Sequence, residues 1–131
     1  AQAAHKEACE YAMQRKQFDQ PIANFQAIQW KIADVGMKIE GTRLLIDLAA
    51  YAWQEGHEEE LASLSHTARL YAAETALFAA QEAIQIHGGY GFTTEYPLPR
   101  FYRDAQTLHA RWNEKDQSYS HLADDKLYLK M

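Results

Sequence analysis

The chain has 131 residues, with 13 basic and 18 acidic side chains, a formal net charge of −5 and a pI near 5.6. That length fits one compact domain, residues 1–131, and 47% hydrophobic with 24% charged residues supports a buried core rather than a disordered chain. No apolar run reaches the roughly 18 to 20 residues of a membrane span, and the interspersed signs lack the Lys and Arg clusters that grip a phosphate backbone, which excludes a spanning helix and disfavours nucleic acid. No export signal is visible, and the lone Cys9 cannot close an intrachain disulfide. The expected compartment is the cytoplasm, or the mitochondrial matrix in a eukaryote.

A first helix is expected from Ala1 to near Gln17, with Ala4, Ala8, Tyr11, Ala12 and Arg15 on one face. It begins without a capping residue, as expected of a piece of something longer. Pro21 then breaks the pattern, and Asn24 offers a side-chain oxygen as the N-cap of a second helix. From Phe25 to Gln54 apolar residues fill more than one face, which predicts a helix central to the domain. Gly36 and Gly41 within it each cost roughly 1 kcal/mol against alanine, so they imply close approach of a neighbouring helix. Gly56 suits a left-handed cap, and Glu58, Glu59 and Glu60 suit the positive end of a third helix that stops at Gly88 and Gly89. Pro97 and Pro99 introduce a fourth helix, from about Leu98 to Arg111, and Ser118 to Tyr128 reads as a weaker helical segment beyond it. Only Tyr90 to Tyr96 is ambiguous with strand. The predicted fold is all-α, an up-and-down four-helix bundle with an extra C-terminal helical segment.

The six histidines, His5, His57, His66, His87, His109 and His121, show no ligand spacing, so no metal site is expected. Cys9 reads as a small packing residue in an alanine-rich helix. Two segments point instead to a ligand. One is Gln14-Arg15-Lys16-Gln17-Phe18 followed by Asn24-Phe25-Gln26-Ala27-Ile28, a basic helix end, a proline turn and an amide at the next helix start. Arg15 either meets a ligand there or binds the last carbonyls of its own helix. The other is Gln85-Ile86-His87-Gly88-Gly89-Tyr90-Gly91-Phe92, which holds three of the six glycines within four residues. These glycines follow a helix rather than a strand and lack dinucleotide-fingerprint spacing, which leaves open a flat or anionic ligand against exposed amides.

Taken in order, these segments together with Ala83-Ile84, Glu95-Tyr96-Pro97 and Arg103-Asp104-Ala105 resemble the C-terminal helical domain of the acyl-CoA dehydrogenases, over residues 1 to about 105. The resemblance implies a helical and a β domain ahead of this one, and FAD at a dimer interface. It further implies that this domain reaches the pyrophosphate and adenosine half of the flavin held by a neighbouring subunit. By that resemblance Arg15, Phe18 and Gln26 contact FAD, with Gln85, Ile86, His87, Gly88 and Gly89 adding backbone and amide contacts. It also implies an acyl-CoA substrate, an electron-transfer acceptor protein, and a homodimer or homotetramer, with a heteromer as an alternative. The aromatic and apolar faces carrying Trp30, Trp53 and Phe78 fit such an assembly.

The sequence departs from the family where the catalytic base belongs. The glutamate of a Tyr-Glu-Gly-Thr segment would fall on Trp112, and Arg111-Trp112-Asn113-Glu114 keeps neither the glycine nor the threonine. Tryptophan has no proton-accepting side chain. Three readings stay open: a base upstream of Ala1, as some family branches have; Glu114 swung into place; or a non-catalytic or differently reacting subunit. Glu114 lies two residues on, a rotation of about 200° on a helix, so it needs the helix to end before Trp112. A stand-alone helical interaction module is the contrasting class, and it predicts no flavin colour in any assembled form.

Overall fold

A computed structural model describes residues 1–113. Four helices dominate: α1 (Gln2–Gln14), α2 (Gln26–Gln54), α3 (Glu58–His87) and α4 (Leu98–Asn113). The segment Ser118 to Tyr128 lies outside the described residues. The architecture is all-α, and α3 rather than α2 is its centre, because α1, α2 and α4 all pack against α3. Small side chains explain this reversal. α1 contributes the stripe Ala4, Ala8 and Ala12, and α3 answers with Ala79, Ala83 and Ile86, all buried in one core with Val35, Ile39 and the fully buried Leu98. Alanine stripes let backbones approach closely, whereas the bulky outer face of α2 stays exposed among the described residues.

The segment between α1 and α2 differs from the expected continuation to Gln17. α1 stops at Gln14, Arg15 turns extended, and a two-residue antiparallel ladder pairs Lys16 with Pro21 and Gln17 with Gln20. The ladder closes on Phe18 and Asp19, both left-handed at φ 52° and 61°, the geometry of a primed hairpin turn. Ile22 N–H donates to the Arg15 carbonyl at 2.8 Å, so the chain folds back onto the helix end. Asn24 is not the cap of α2. It belongs to a 3-10 turn, Ile22–Asn24, and its amide donates to Gln20 Oε1 at 3.4 Å, while Phe25 takes the cap position without a side-chain bond.

Gly41 meets the Tyr71 ring, which would lie 3.5 Å from an added Cβ, so the helix crossing is close there as expected. Gly56 has φ +73° and ends the α2–α3 turn. Tyr90 to Tyr96 is not a strand: Gly88–Phe92 forms a 3-10 turn leading to α4. Phe78 is not on an open face, for its half-buried ring lies beneath Lys38 Nζ at 5.1 Å. Trp30 and Trp53 are exposed.

Candidate functional site

The C-terminal end of α1 and the C-terminal end of α3 meet beside the hairpin, and between them lies an open cleft of about 540 Å³. Arg15, Ile86, His87, Gly88 and Gly89 all line it, together with Tyr11 and Tyr90. Two sequence segments separated by seventy residues are thus brought to one place by the alanine packing of α1 on α3.

Arg15 enters the cleft because α1 ends one residue earlier, its backbone N–H still bonded to the Tyr11 carbonyl at 2.8 Å. Its guanidinium carbon stands 5.9 Å from the centroid of the Tyr90 ring, and among the described residues no carboxylate pairs with it. The side chain therefore does not serve as a C-cap of its own helix. Its charge is felt locally: burial pushes the Tyr11 phenol up, and Arg15 offsets part of that rise.

Glycine shapes the opposite wall in two ways. Gly88 has φ +59° and ψ −132°, and a Cβ on Gly88 or Gly89 would meet no atom within 4 Å, so backbone there borders open space. Gly91 is different. A Cβ on it would lie 2.7 Å from the Ile84 carbonyl oxygen, so its turn is pressed directly onto α3.

His87 is 2% exposed. Its Nδ1–H donates to the Ala83 carbonyl at 2.8 Å, which leaves Nε2 as a buried acceptor without a partner among the described residues. The ring stacks on Tyr11 at 4.0 Å and meets Tyr96 edge-on at 4.8 Å. Burial pushes its imidazole below the ordinary range, opposed by the Ala83 bond and the charge of Glu7.

The remaining candidates sit outside the cleft lining. Phe18 projects from the hairpin tip, 87% exposed, with its ring edge toward Phe25 at 6.3 Å. Gln26 opens α2 and Gln85 lies on the last turn of α3, both exposed. Sequence reasoning missed Tyr11 and Tyr90 as site residues. The signal was present, because Tyr11 shares the Arg15 face and Tyr90 sits inside the glycine cluster.

Two expectations about reactive groups meet the geometry here. Cys9 Sγ lies 3.8 Å from His5 Nε2, a nearby base that sequence did not suggest, yet that nitrogen also lies 3.1 Å from the Ile32 carbonyl and burial pushes the thiol up. The pair is thus packing rather than an activated nucleophile. At the other end, α4 continues through Trp112 to Asn113, so the helix does not end where Glu114 would need it to, and Glu114 itself lies outside the described residues.

A guanidinium with no carboxylate on it among the described residues, in one cleft with glycine backbone and aromatic rings, suits an anion attached to a flat group. Residues 1–110 match the family described as acyl-CoA dehydrogenase, C-terminal domain, and the chain belongs to that family. It is 45% identical over 108 residues to the 3-(aryl)acrylate reductase of Clostridium sporogenes, and 44% identical over 108 residues to the probable acyl-CoA dehydrogenase YngJ of Bacillus subtilis, covering 82% of this chain and 28% of each relative. The solved butyryl-CoA dehydrogenase of Megasphaera elsdenii superposes with a TM-score of 0.77 at 41% identity, covering 82% of this chain and 27% of that one. The chain therefore spans about a quarter of the length of the relatives it matches. Among the described residues, no helix is long and apolar enough to cross a membrane.

Proposed function

We propose that this chain is the C-terminal domain of an FAD-dependent acyl-CoA dehydrogenase, and that its cleft grips the pyrophosphate half of a flavin held mainly by a neighbouring subunit. In this reading it acts within a longer chain whose other domains precede it. One observation carries the reading: among the described residues Arg15 has no carboxylate partner, and it stands in the same cleft as the open backbone of Gly88 and Gly89. The residues fit a dinucleotide. The guanidinium pairs with phosphate oxygens, the absent side chains at Gly88 and Gly89 leave room for the nucleotide, and Phe18 offers an exposed ring at the rim. Gln26 and Gln85 supply amides just outside the lining. FAD, when bound, would take the hydride from the β-carbon of the acyl-CoA while a base, assigned upstream of Ala1, takes the α-proton, which together leave a 2,3-enoyl-CoA. Electrons then pass to an acceptor protein.

The test uses the full-length protein. Arg15→Ala removes charge-assisted contacts worth about 1.5 to 3 kcal/mol, and flavin retained through dialysis should fall accordingly. Unchanged FAD affinity rejects the assignment.

The outer face of α2 supports an oligomer. Trp30, Met37, Leu44 and Tyr51 recur every seven residues and are all more than half exposed, a stripe about 32 Å long at 1.5 Å per residue. In this reading a second copy covers it.

A second reading of the chemistry is favoured by Trp112 at the family's base position and by the reductase names carried by two relatives. It makes the protein a differently reacting or non-catalytic subunit. Anaerobic mixing of the full-length protein with a panel of acyl-CoA thioesters separates a working dehydrogenase, which bleaches its flavin, from a non-catalytic subunit, which does not. In that assay Glu114→Gln should bleach like wild type, because the base is assigned upstream of Ala1. Loss of bleaching at equal flavin content would move the base to Glu114.

A further inference from the structure

Among the described residues Arg15 meets no carboxylate, and its guanidinium lies against the Tyr90 ring. Several contacts fix the base of that ring. The Tyr90 carbonyl accepts two hydrogen bonds, from Thr93 N–H at 3.1 Å and from Thr93 Oγ1 at 2.9 Å. The next residue, Gly91, is pressed onto the Ile84 backbone so tightly that even a methyl group would collide. The ring itself has aromatic neighbours on two sides, Tyr11 at 6.5 Å and Tyr96 at 6.3 Å between centroids. Tyr90 is nonetheless about half exposed and lines the cleft. It is thus a platform with a rigid base and an open face.

We propose that Tyr90 is a positioning residue: its ring holds the Arg15 guanidinium at the cleft, oriented for the ligand's phosphates, without consuming the N–H donors that bind them. A carboxylate in the same place would neutralise the charge and occupy the donors, whereas a ring face attracts the cation and leaves its N–H groups for a ligand. An arginine left in solvent would keep its donors but lose side-chain freedom on binding. The aromatic platform fixes the side chain beforehand. This inference rests on the reading of the cleft as an FAD site.

The experiment measures FAD affinity by titrating full-length apoprotein and following flavin fluorescence, for wild type, Tyr90→Leu, Tyr90→Phe, Arg15→Ala and the double variant Arg15→Ala/Tyr90→Leu. Tyr90→Leu should weaken FAD about 3- to 30-fold, and Tyr90→Phe should stay within about 2-fold of wild type. The double variant should bind no worse than Arg15→Ala alone, because Tyr90 acts through Arg15. Tyr90→Met, which fills similar volume without an aromatic face, should behave like the leucine variant and covers the case in which leucine unfolds the turn. If Tyr90→Leu binds as wild type while Arg15→Ala does not, the positioning role is wrong and the FAD reading stands. If the two losses add, Tyr90 touches the ligand itself and positioning is again overturned. A phenylalanine variant as weak as leucine would assign the effect to the hydroxyl, with the same consequence. Unchanged affinity in every variant removes the FAD reading.

Discussion

The two ends of the bundle are built on opposite rules. Where α1, α4 and the hairpin join α3, the contacts are alanine against alanine, Leu98 is fully buried, and the glycine turn is pressed onto Ile84. Toward the Gly56 turn, among the described residues α2 and α3 pack on each other, and Leu44, Ile46, Leu48, Tyr51 and Trp53 remain exposed. The first end spends small residues to bring backbone and charge into one cleft. The second keeps large apolar residues outward, as an interface awaiting a partner does. Position in the fold therefore decides what a hydrophobic side chain is for.

Substitution at the two ends should differ most sharply in the core. Leu98→Ala should cost about 2 to 5 kcal/mol in urea unfolding of the full-length protein, since nothing refills its volume. If it costs under about 1 kcal/mol, the tight end is not tight. Next comes the glycine turn. Gly91→Ala forces a methyl into the Ile84 carbonyl and should cost about 1 to 3 kcal/mol by crowding. Gly56→Ala, in open space but at φ +73°, should cost only about 1 to 2 kcal/mol through backbone strain. Thermal melts of both variants rank the two causes.

The cleft end should also respond to acid. Because His87 has its imidazole pushed down by burial, its contribution to stability is fully present above the unfolded value near 6.5. As pH falls below that value the unfolded chain binds a proton that the folded chain refuses, and stability is lost until the lower folded value is passed. Wild type should therefore lose more unfolding free energy between pH 7.5 and 5.5 than His87→Phe does. Equal losses would show that His87 is not the responsible group. Smallest of all is the effect expected at the other end: Leu44→Ala should change monomer stability by no more than about 0.5 kcal/mol. Its effect belongs in light scattering, where it should weaken self-association.

Much of this architecture was legible in the residues, and the failures have physical causes. The extents of α2 and α3 followed from helical periodicity and from Gly56, because long periodic segments leave little choice. The centrality of α3 was not legible, since hydrophobic richness pointed to α2, whereas packing follows the small residues that permit close contact. The hairpin at residues 16–21 was hidden because Phe18-Asp19 carries none of the Asn-Gly signal of a primed turn. In the cleft, Arg15 and the glycines stood out by type and spacing. Tyr90 sat inside the same glycine cluster, but its place beneath the guanidinium depends on tertiary distance, which sequence spacing does not give.

Phe18 carries a consequence for anyone who would engineer this protein. A phenylalanine held left-handed at a hairpin tip costs on the order of 1 to 3 kcal/mol, and its exposed ring recovers almost none of that by burial. Selection for thermal stability alone would replace it with glycine or asparagine and report success. If the ring is there for the nucleotide, such a variant gains melting temperature while shedding its flavin, so heat resistance and cofactor content must be scored together.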